Sequence, residues 1–246
     1  MSPPAGQAWW TNETTDSFTV GWASEAEYVI SIGETPSVAV RLGPASETYA
    51  SLSYALSIMP LALPLFDLEP FHGSVVEHED RVLAFLADSG IGKSTMAATL
   101  RSRGARLIAD DACAVDEHGR VWPGPPLVAP RVEAEVDGSG RETYDGKEVV
   151  RLEGHPTAPR EPSAVVVLER ASVRASVEPL SGRDGLRKIF RYVRAPWALP
   201  VRRADLQLHT VARLATLPLL LVTFDERLTP PEDLADLVLS RLQTLT

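Results

Sequence analysis

The chain has 246 residues, of which 44% are hydrophobic, and this suits one large α/β domain or one domain with a modest appendage. Its formal net charge of −9 argues against a general attraction to nucleic acid or to an anionic membrane, so we expect neither as a partner. The single cysteine, Cys113, excludes an internal disulfide. Together with the lack of a leader pattern and of a long uninterrupted apolar run, it indicates a cytoplasmic protein without a membrane span.

The first part of the chain, residues 1–68, is predicted to be a small β-rich unit. Residues 1 to about 16 are expected to be poorly ordered. Three short segments punctuated by glycine are predicted strands: Phe18–Trp22, Tyr28–Ile32 and Val38–Leu42. Apolar residues at helical spacing predict a helix over Glu47–Met59, which Pro60 and Pro64 are expected to end.

The remainder of the chain, residues 69–246, is predicted to be the main domain, and it begins with a predicted hairpin between Gly73–Glu77 and Arg81–Leu86. A register that pairs Glu77 with Arg81 would set His72 opposite Leu86, at the end of the second strand. His72 is therefore a candidate active-site residue. A structural histidine is the alternative.

Directly after that strand comes the segment ADSGIGKST, which matches the phosphate-loop pattern G-x-x-x-x-G-K-[ST] except that Ala87 stands first. In such a loop the backbone amides and the start of the following helix attract phosphate. The sequence predicts nucleotide binding by Asp88, Ser89, Gly90, Ile91, Gly92, Lys93, Ser94 and Thr95. Lys93 would reach the β and γ phosphates, and the Ser94 hydroxyl would bind Mg²⁺.

A helix over Lys93–Arg103 and a strand over Arg106–Ala109 are predicted to deliver Asp110 and Asp111 to the same sheet edge as the loop. One carboxylate would hold Mg²⁺, and the other would orient or deprotonate an acceptor hydroxyl. Which aspartate does which is left open. A solvated turn is the alternative interpretation of the pair.

Further strands and helices complete the predicted α/β domain. The predicted elements are a hairpin of Ala112–Val115 with Val121-Trp122, a charged mobile loop from Glu133 to Glu148, a buried strand Ala164–Leu168 paired with Val173–Leu180, helices Asp184–Val193 and Ala204–Ala215, a core strand Pro218–Phe224, and a helix that starts at a capping box, Thr229–Glu232, and runs to Leu242. Lys147 and Arg151 are candidates for phosphate or substrate contacts, and a solvated charged strand is the alternative. The basic run within residues 183–203 could receive an acidic substrate or phosphate, or could be an ordinary solvated helix face.

The segment from His72 to Asp111 resembles the core of the HPr kinase/phosphorylase family, which belongs with the PEP-carboxykinase-like P-loop proteins. The matching residues are His72-Gly73, the loop from Ala87 to Ser94, and the run RGARLIADD that ends at Asp111. The resemblance implies an α/β fold, a P-loop nucleotide-binding mixed sheet of that type with a small β-rich N-terminal part. It also implies ATP and Mg²⁺ as cofactors, Lys93 and Ser94 on phosphate and metal, Asp110 and Asp111 as proton acceptor and metal contact, and His72 in the active site.

The family's later signature, E-x-R-G-x-G, is absent after Asp111, and the sequence looks closest to the short peptide-tailoring kinases such as lasso-peptide kinases. We therefore expect a serine kinase whose partner is a peptide or protein bearing the acceptor serine; homo-oligomerisation is left open. A guanine-binding N-K-x-D motif cannot occur, because Asn12 is the only asparagine. A kinase for a small-molecule hydroxyl and a non-catalytic ATP-binding regulator are the alternatives.

Overall fold

The computed structural model describes residues 9–14, 17–22, 26–32, 34–43, 47–128, 138–144, 147–194 and 204–244. Contacts between these residues divide them into two compact units, one that ends at Leu68 and one that starts at Glu69.

The first unit contains an antiparallel four-stranded sheet whose strands follow one another in chain order. They are β1 (Trp9–Glu13), β2 (Ser17–Trp22), β3 (Ala26–Ser31) and β4 (Ser37–Leu42). The three predicted strands are therefore confirmed. The expectation of little order up to residue 16 is wrong for Trp9–Glu13, because this segment, rich in residues that favour strands, pairs with β2. Residues 1–8, 15 and 16 lie outside the described residues.

The helical segment of the first unit runs past both prolines. It consists of α1 (Glu47–Ser53), a π-helical turn (Tyr54–Ile58), α2 (Met59–Ala62) and a 3₁₀ turn (Leu63–Phe66). The predicted stop is wrong because Pro60 and Pro64 each fall in the first turn of a new piece, where a missing N–H costs least.

By length and composition alone this segment, Glu47–Phe66, would be able to cross a membrane, with a mean hydropathy of 1.4. Ala50, Ile58 and Ala62 are buried against the four-stranded sheet, beside Tyr28 and Ile30. We therefore interpret the segment as the core helix of its own unit.

The second unit is built on a six-stranded mixed sheet in the order β15-β16-β14-β7-β6-β8. Its strands are β6 (Gly73–His78), β7 (Arg81–Leu86), β8 (Arg106–Ala109), β14 (Ala164–Arg170), β15 (Ser176–Leu180) and β16 (Leu219–Phe224). Strands β7, β14 and β16 are parallel, and β8 runs in the same direction as β7 because β6 lies antiparallel between them.

Helices cover both faces of this sheet. Leu83 and Phe85 face α3 (Lys93–Arg101) and α6 (Pro231–Gln243), whereas Ala84 and Leu86 face α4 (Gly182–Arg191) and α5 (Ala204–Ala215). The alternation of buried side chains along β7 is that of a strand buried on both faces. The predicted α/β class with a P-loop-bearing mixed sheet and a small β-rich N-terminal part is confirmed.

Two small sheets complete the second unit. One joins β5 (Glu69–Phe71), β9 (Cys113–Val115) and β10 (Val121–Trp122), and this confirms the predicted second hairpin. The other joins β11 (Leu127–Val128), β12 (Gly138–Tyr144) and β13 (Lys147–Leu152). The predicted mobile loop is therefore wrong for residues 138–144 and 147–148, which form a hairpin; residues 133–137, 145 and 146 lie outside the described residues.

The predicted register of the β6–β7 hairpin is wrong by one residue. His78 pairs with Arg81 and Gly73 pairs with Leu86, so that His72 lies one residue beyond the last pair. The cause is the turn, in which Glu79 and Asp80 have φ values of 48° and 61°. Two residues with positive φ make a two-residue hairpin turn rather than the three-residue turn that the prediction assumed.

Two smaller predictions about the later chain are also wrong. Strand β15 pairs with β16 and not with β14, because β16 lies between them and takes that edge of β14. The first helical residue of α6 is Pro231, and its N-cap is Pro230 without a side-chain cap. Thr229 consequently does not cap the helix and instead lines a pocket.

Candidate active site

The phosphate loop occupies residues 87–92, between the carboxyl end of β7 and the start of α3. Gly90 and Gly92 have φ values of 82° and 124°, a region that side chains other than glycine rarely enter. Ala87 does not have positive φ, and its methyl group is fully buried. The alanine at the first position of the motif is therefore accommodated without backbone strain.

Lys93 is folded into the loop and only 5% exposed. Its ammonium Nζ donates to the carbonyl oxygens of Ala87 at 3.0 Å and Asp88 at 3.1 Å, and lies 2.9 Å from Nε2 of His72. A buried ammonium requires such partners, because its desolvation is costly. The positive charge is thereby held at the centre of the loop, where phosphate oxygens would bind.

His72 links the lysine to the acidic pair. Burial, and next the charge of Lys93, lowers the pKa of His72 below its ordinary value, so that the neutral ring is favoured. A neutral ring that accepts a hydrogen bond from the Lys93 ammonium at Nε2 carries its own proton on Nδ1, which faces Oδ1 of Asp111 at 3.5 Å. The ring is therefore held in one tautomer between a cation and a carboxylate.

Asp110 is half-buried and is anchored by two serines. Its Oδ1 accepts hydrogen bonds from the hydroxyls of Ser74 and of Ser94, the latter at 3.0 Å. Burial raises the pKa of Asp110 above its ordinary value, and the two hydroxyl hydrogen bonds counteract part of this effect. Asp110 thus sets the position of the Ser94 side chain.

Asp111 instead faces the pocket and is half exposed. Its φ of 64° lies in the left-handed region, which aspartate tolerates better than most residues. Arg194 donates from Nη1 to Oδ2 of Asp111 at 2.9 Å. The two adjacent carboxylates therefore have different surroundings: that of Asp110 contacts two serine hydroxyls, and that of Asp111 lines the pocket.

A pocket of about 330 Å³ begins at the loop and extends towards α6. The predicted nucleotide-binding residues from Ser89 to Thr95 line it together with Asp111. At its other end lie Phe224, Pro231 and Leu234, an apolar surface of the kind that binds a flat ring. His72, Asp88 and Asp110 are not among the lining residues, although all three were predicted to be in the site.

The oxygen donors suit magnesium bound through phosphate. Ser94 and Asp111 line one pocket and offer hard oxygen ligands, and Mg²⁺ is usually held by only one or two protein groups plus phosphates and water. Among the described residues no cluster of three or more His, Cys, Asp or Glu side chains forms a metal cage. A site completed by phosphate fits these residues.

Four residues of the site were not predicted from the sequence. Ser74 and Arg194 hold Asp110 and Asp111, Arg170 donates to the Gly90 carbonyl at 2.9 Å, and Arg191 pairs with Asp88 at 2.5 Å. Arg191 and Arg194 fall in the basic run noted in the sequence, a signal that could have found them. Ser74 had the weaker signal of adjoining His72-Gly73.

The chain was compared with protein families, with known proteins and with solved structures, and similarity was found to solved structures. No family model and no curated protein matches the chain. Among solved structures, the HPr(Ser) kinase/phosphatase from Coxiella burnetii is similar at 13% identity and a TM-score of 0.38, covering 72% of this chain and 99% of that chain.

Proposed function

We propose that the chain is a Mg²⁺- and ATP-dependent kinase that transfers the γ-phosphoryl group to a serine hydroxyl of a peptide or protein in the cytoplasm. The observation that carries the proposal is the continuous arrangement of Lys93, His72 and Asp111, which sets a buried cation and an outward carboxylate at one pocket. Phosphoryl transfer needs these two groups: a positive charge on the phosphates and a carboxylate near the acceptor.

Lys93 binds the β and γ phosphates. The ammonium has hydrogen bonds to two loop carbonyls, so it is already in place and loses little entropy when phosphate binds. The amides of the loop and the start of α3 add to the attraction. Magnesium held by Ser94 would neutralise charge on the transferred group, with Asp110 fixing the serine through its hydroxyl.

Asp111 acts as the proton acceptor. Its Oδ2 is held by Arg194, and its Oδ1, which faces the His72 ring at 3.5 Å, takes the proton of the serine hydroxyl. As the bond from the serine oxygen to the γ-phosphorus forms, the bond from that phosphorus to the β–γ bridging oxygen breaks, and ADP leaves. The neutral His72 ring lies between Lys93 and Asp111 and positions both side chains without adding a charge of its own.

The proposed acceptor, a serine in a peptide, is inferred from the sequence. The sequence resemblance to short HPr-kinase-like, lasso-peptide tailoring kinases favours a serine in a peptide.

The test begins with nucleotide binding. Calorimetric titration with ATP should give binding that requires Mg²⁺ and is lost in Lys93→Met. The matched control is Lys188→Met, which removes an equal charge from an exposed helix where Lys188 pairs with Glu169. Equal loss in both variants, or no magnesium-dependent binding of wild type, would contradict the nucleotide site.

The second stage uses γ-labelled ATP with a library of serine peptides and, separately, a panel of small hydroxyl compounds. Label should pass to serine peptides. Transfer only to a small compound would assign a metabolite kinase, and binding without any transfer would assign a non-catalytic ATP-binding regulator.

A further inference from the structure

Helix α4 (Gly182–Arg191) carries an exposed basic and apolar face that the proposed chemistry does not use. Arg183, Arg187 and Arg191 follow one another at four-residue spacing, and so lie along one side of the helix. Beside them Leu186 and Phe190, also four residues apart, are 41% and 47% exposed. The opposite side, with Gly185 and Ile189, is buried against the sheet.

This arrangement is unfavourable for the helix taken alone. Like charges at four-residue spacing repel one another, and Arg183 lies in the first turn, where the helix dipole disfavours a cation. The other charged residues of α4 do not offset the repulsion among these arginines, because Lys188 is a further cation, paired with Glu169, and Asp184 is the only acidic residue of the helix. Among the described residues neither Arg183 nor Arg187 has an ion-pair partner, so a partner from outside the chain would remove the repulsion.

The face leads directly to the site. At its end Arg191 pairs with Asp88 of the phosphate loop, and the next arginine along the chain, Arg194, holds Asp111. The chain directly after α4 is also hydrogen-bonded to the segment that carries His72: the backbone N–H of His72 donates to the Tyr192 carbonyl at 2.7 Å. A ligand that lies along α4 would therefore end beside the proton acceptor.

Resting on the proposed kinase function, we propose that this face of α4 docks an acidic segment of the acceptor peptide or protein, in which acidic and apolar residues adjoin the acceptor serine. Charge complementarity to Arg183 and Arg187 selects acidic residues, and Leu186 and Phe190 select apolar ones between them. The ten-residue helix is about 15 Å long, which an extended peptide covers with about five residues.

Two other occupants are less well matched to these residues. An anionic membrane would be repelled by the remainder of a chain whose net charge is −9. A second copy of the chain would cover the face but would also obstruct the approach to Asp111. Both remain outcomes of the test.

The test measures peptide binding without ATP, by fluorescence anisotropy. The probe is a labelled peptide with one serine followed by alternating glutamates and leucines, and its counterpart has lysine for each glutamate. The acidic peptide should bind, more weakly as salt increases, and the lysine peptide should bind at least tenfold less tightly. Arg183→Glu/Arg187→Glu should raise the Kd of the acidic peptide by about tenfold or more and reverse the preference between the peptides.

The control variant is Arg81→Glu/Arg101→Glu, which makes the same change in net charge. Arg81 lies at the start of β7, at the other end of that strand from the loop, and Arg101 lies in the last turn of α3, which packs on the face of the sheet that α4 does not cover. It should change the Kd by less than about threefold. Leu186→Ser/Phe190→Ser should also weaken binding but leave its salt dependence unchanged, because no charge is removed.

Four results would overturn the inference: equal binding of the two peptides, no response to the α4 reversal, a wild-type dimer that the reversal converts to monomer, or binding to phosphatidylserine vesicles that the reversal abolishes. Kinetics separate this inference from the kinase proposal. Transfer to the acidic peptide with a raised KM and unchanged kcat in the reversal variant supports both. Docking of the acidic peptide without any phosphoryl transfer supports the α4 site and refutes the kinase proposal. Phosphoryl transfer with the same KM and kcat in wild type and in the Arg183→Glu/Arg187→Glu variant supports the kinase proposal and refutes the α4 site.

Discussion

Replacing Asp111 by asparagine should separate the roles of the two aspartates. Asparagine tolerates the left-handed φ of 64° at this position, and its Oδ1 can accept the hydrogen bond that Arg194 now donates at 2.9 Å. Shape, backbone and one hydrogen bond are thus retained. What disappears is the negative charge and the ability to take a proton.

The size of the effect follows from that loss. A positioned general base contributes roughly 10²- to 10⁴-fold to the rate, which corresponds to about 2.7–5.4 kcal/mol at about 1.36 kcal/mol per factor of ten. We therefore expect kcat of Asp111→Asn to fall by about 10²- to 10⁴-fold. ATP affinity should stay within about threefold, because Lys93 and the loop amides are unchanged.

The assay is single-turnover transfer from γ-labelled ATP at saturating Mg²⁺, with ATP binding measured separately. Asp110→Asn is the matched variant: because Asp110 positions Ser94 rather than facing the acceptor, its activity should recover as Mg²⁺ is raised. The activity of Asp111→Asn should not. Retention of kcat within tenfold in Asp111→Asn, or its rescue by magnesium, would refute the assignment of the proton acceptor.

Four further outcomes are expected. Burial raises the pKa of Asp110, so the folded state binds that proton more tightly than the unfolded chain does, and ionisation of Asp110 destabilises the wild type. Asp110→Asn should therefore melt at the same temperature as wild type or higher, and its advantage in melting temperature should grow as pH rises above about 4. A melting temperature more than about 4 °C below that of wild type at neutral pH would contradict this. The pKa of His72 is lowered by burial and by Lys93, so wild type should lose stability relative to His72→Gln as pH falls below about 6.5 in thermal melts, and parallel pH curves would count against it. Ala87→Gly should leave ATP affinity unchanged within about twofold, because Ala87 does not need positive φ. Removal of its buried methyl group should lower the free energy of unfolding by about 1 kcal/mol, measured by denaturant unfolding. A large gain in ATP affinity would show that the loop needs glycine at this position. In Gly73→Ala the new Cβ would lie 2.8 Å from Leu86 Cδ2 and 2.9 Å from the Phe85 carbonyl oxygen, so the variant should lose about 1–3 kcal/mol of stability, and an unchanged melting temperature would refute the close packing at this position.

The local pattern from β7 to Asp111 was sufficient to predict the centre of the site. A buried strand, a loop with glycine at two positions of positive φ, a helix and a second strand are specified by residues close in sequence, since each depends on backbone preference and on periodicity. The common direction of β7 and β8 followed from the helix between them. The loop and the acidic pair were consequently expected at one sheet edge, as observed.

The errors arose where a choice depended on contacts between distant segments or on one turn. The hairpin register changed by one residue because Glu79 and Asp80 both adopt positive φ, a choice that alternation along the strands does not reveal. The partner of β15 depended on which strand lies at that edge of β14, and β16, which follows β15 in the chain, takes the position.

The residues that distinguish the two aspartates came only from the tertiary structure. Ser74 lies 36 residues before Asp110, and Arg194 lies 83 residues after Asp111, so that no local spacing signals either contact. The amino-acid sequence by itself determined which groups could bind phosphate and accept a proton, because that depends on residue type and local backbone. The tertiary structure alone decided that Asp110 is held by two serines while Asp111 lines the pocket, because such contacts between distant residues exist only once the chain has folded.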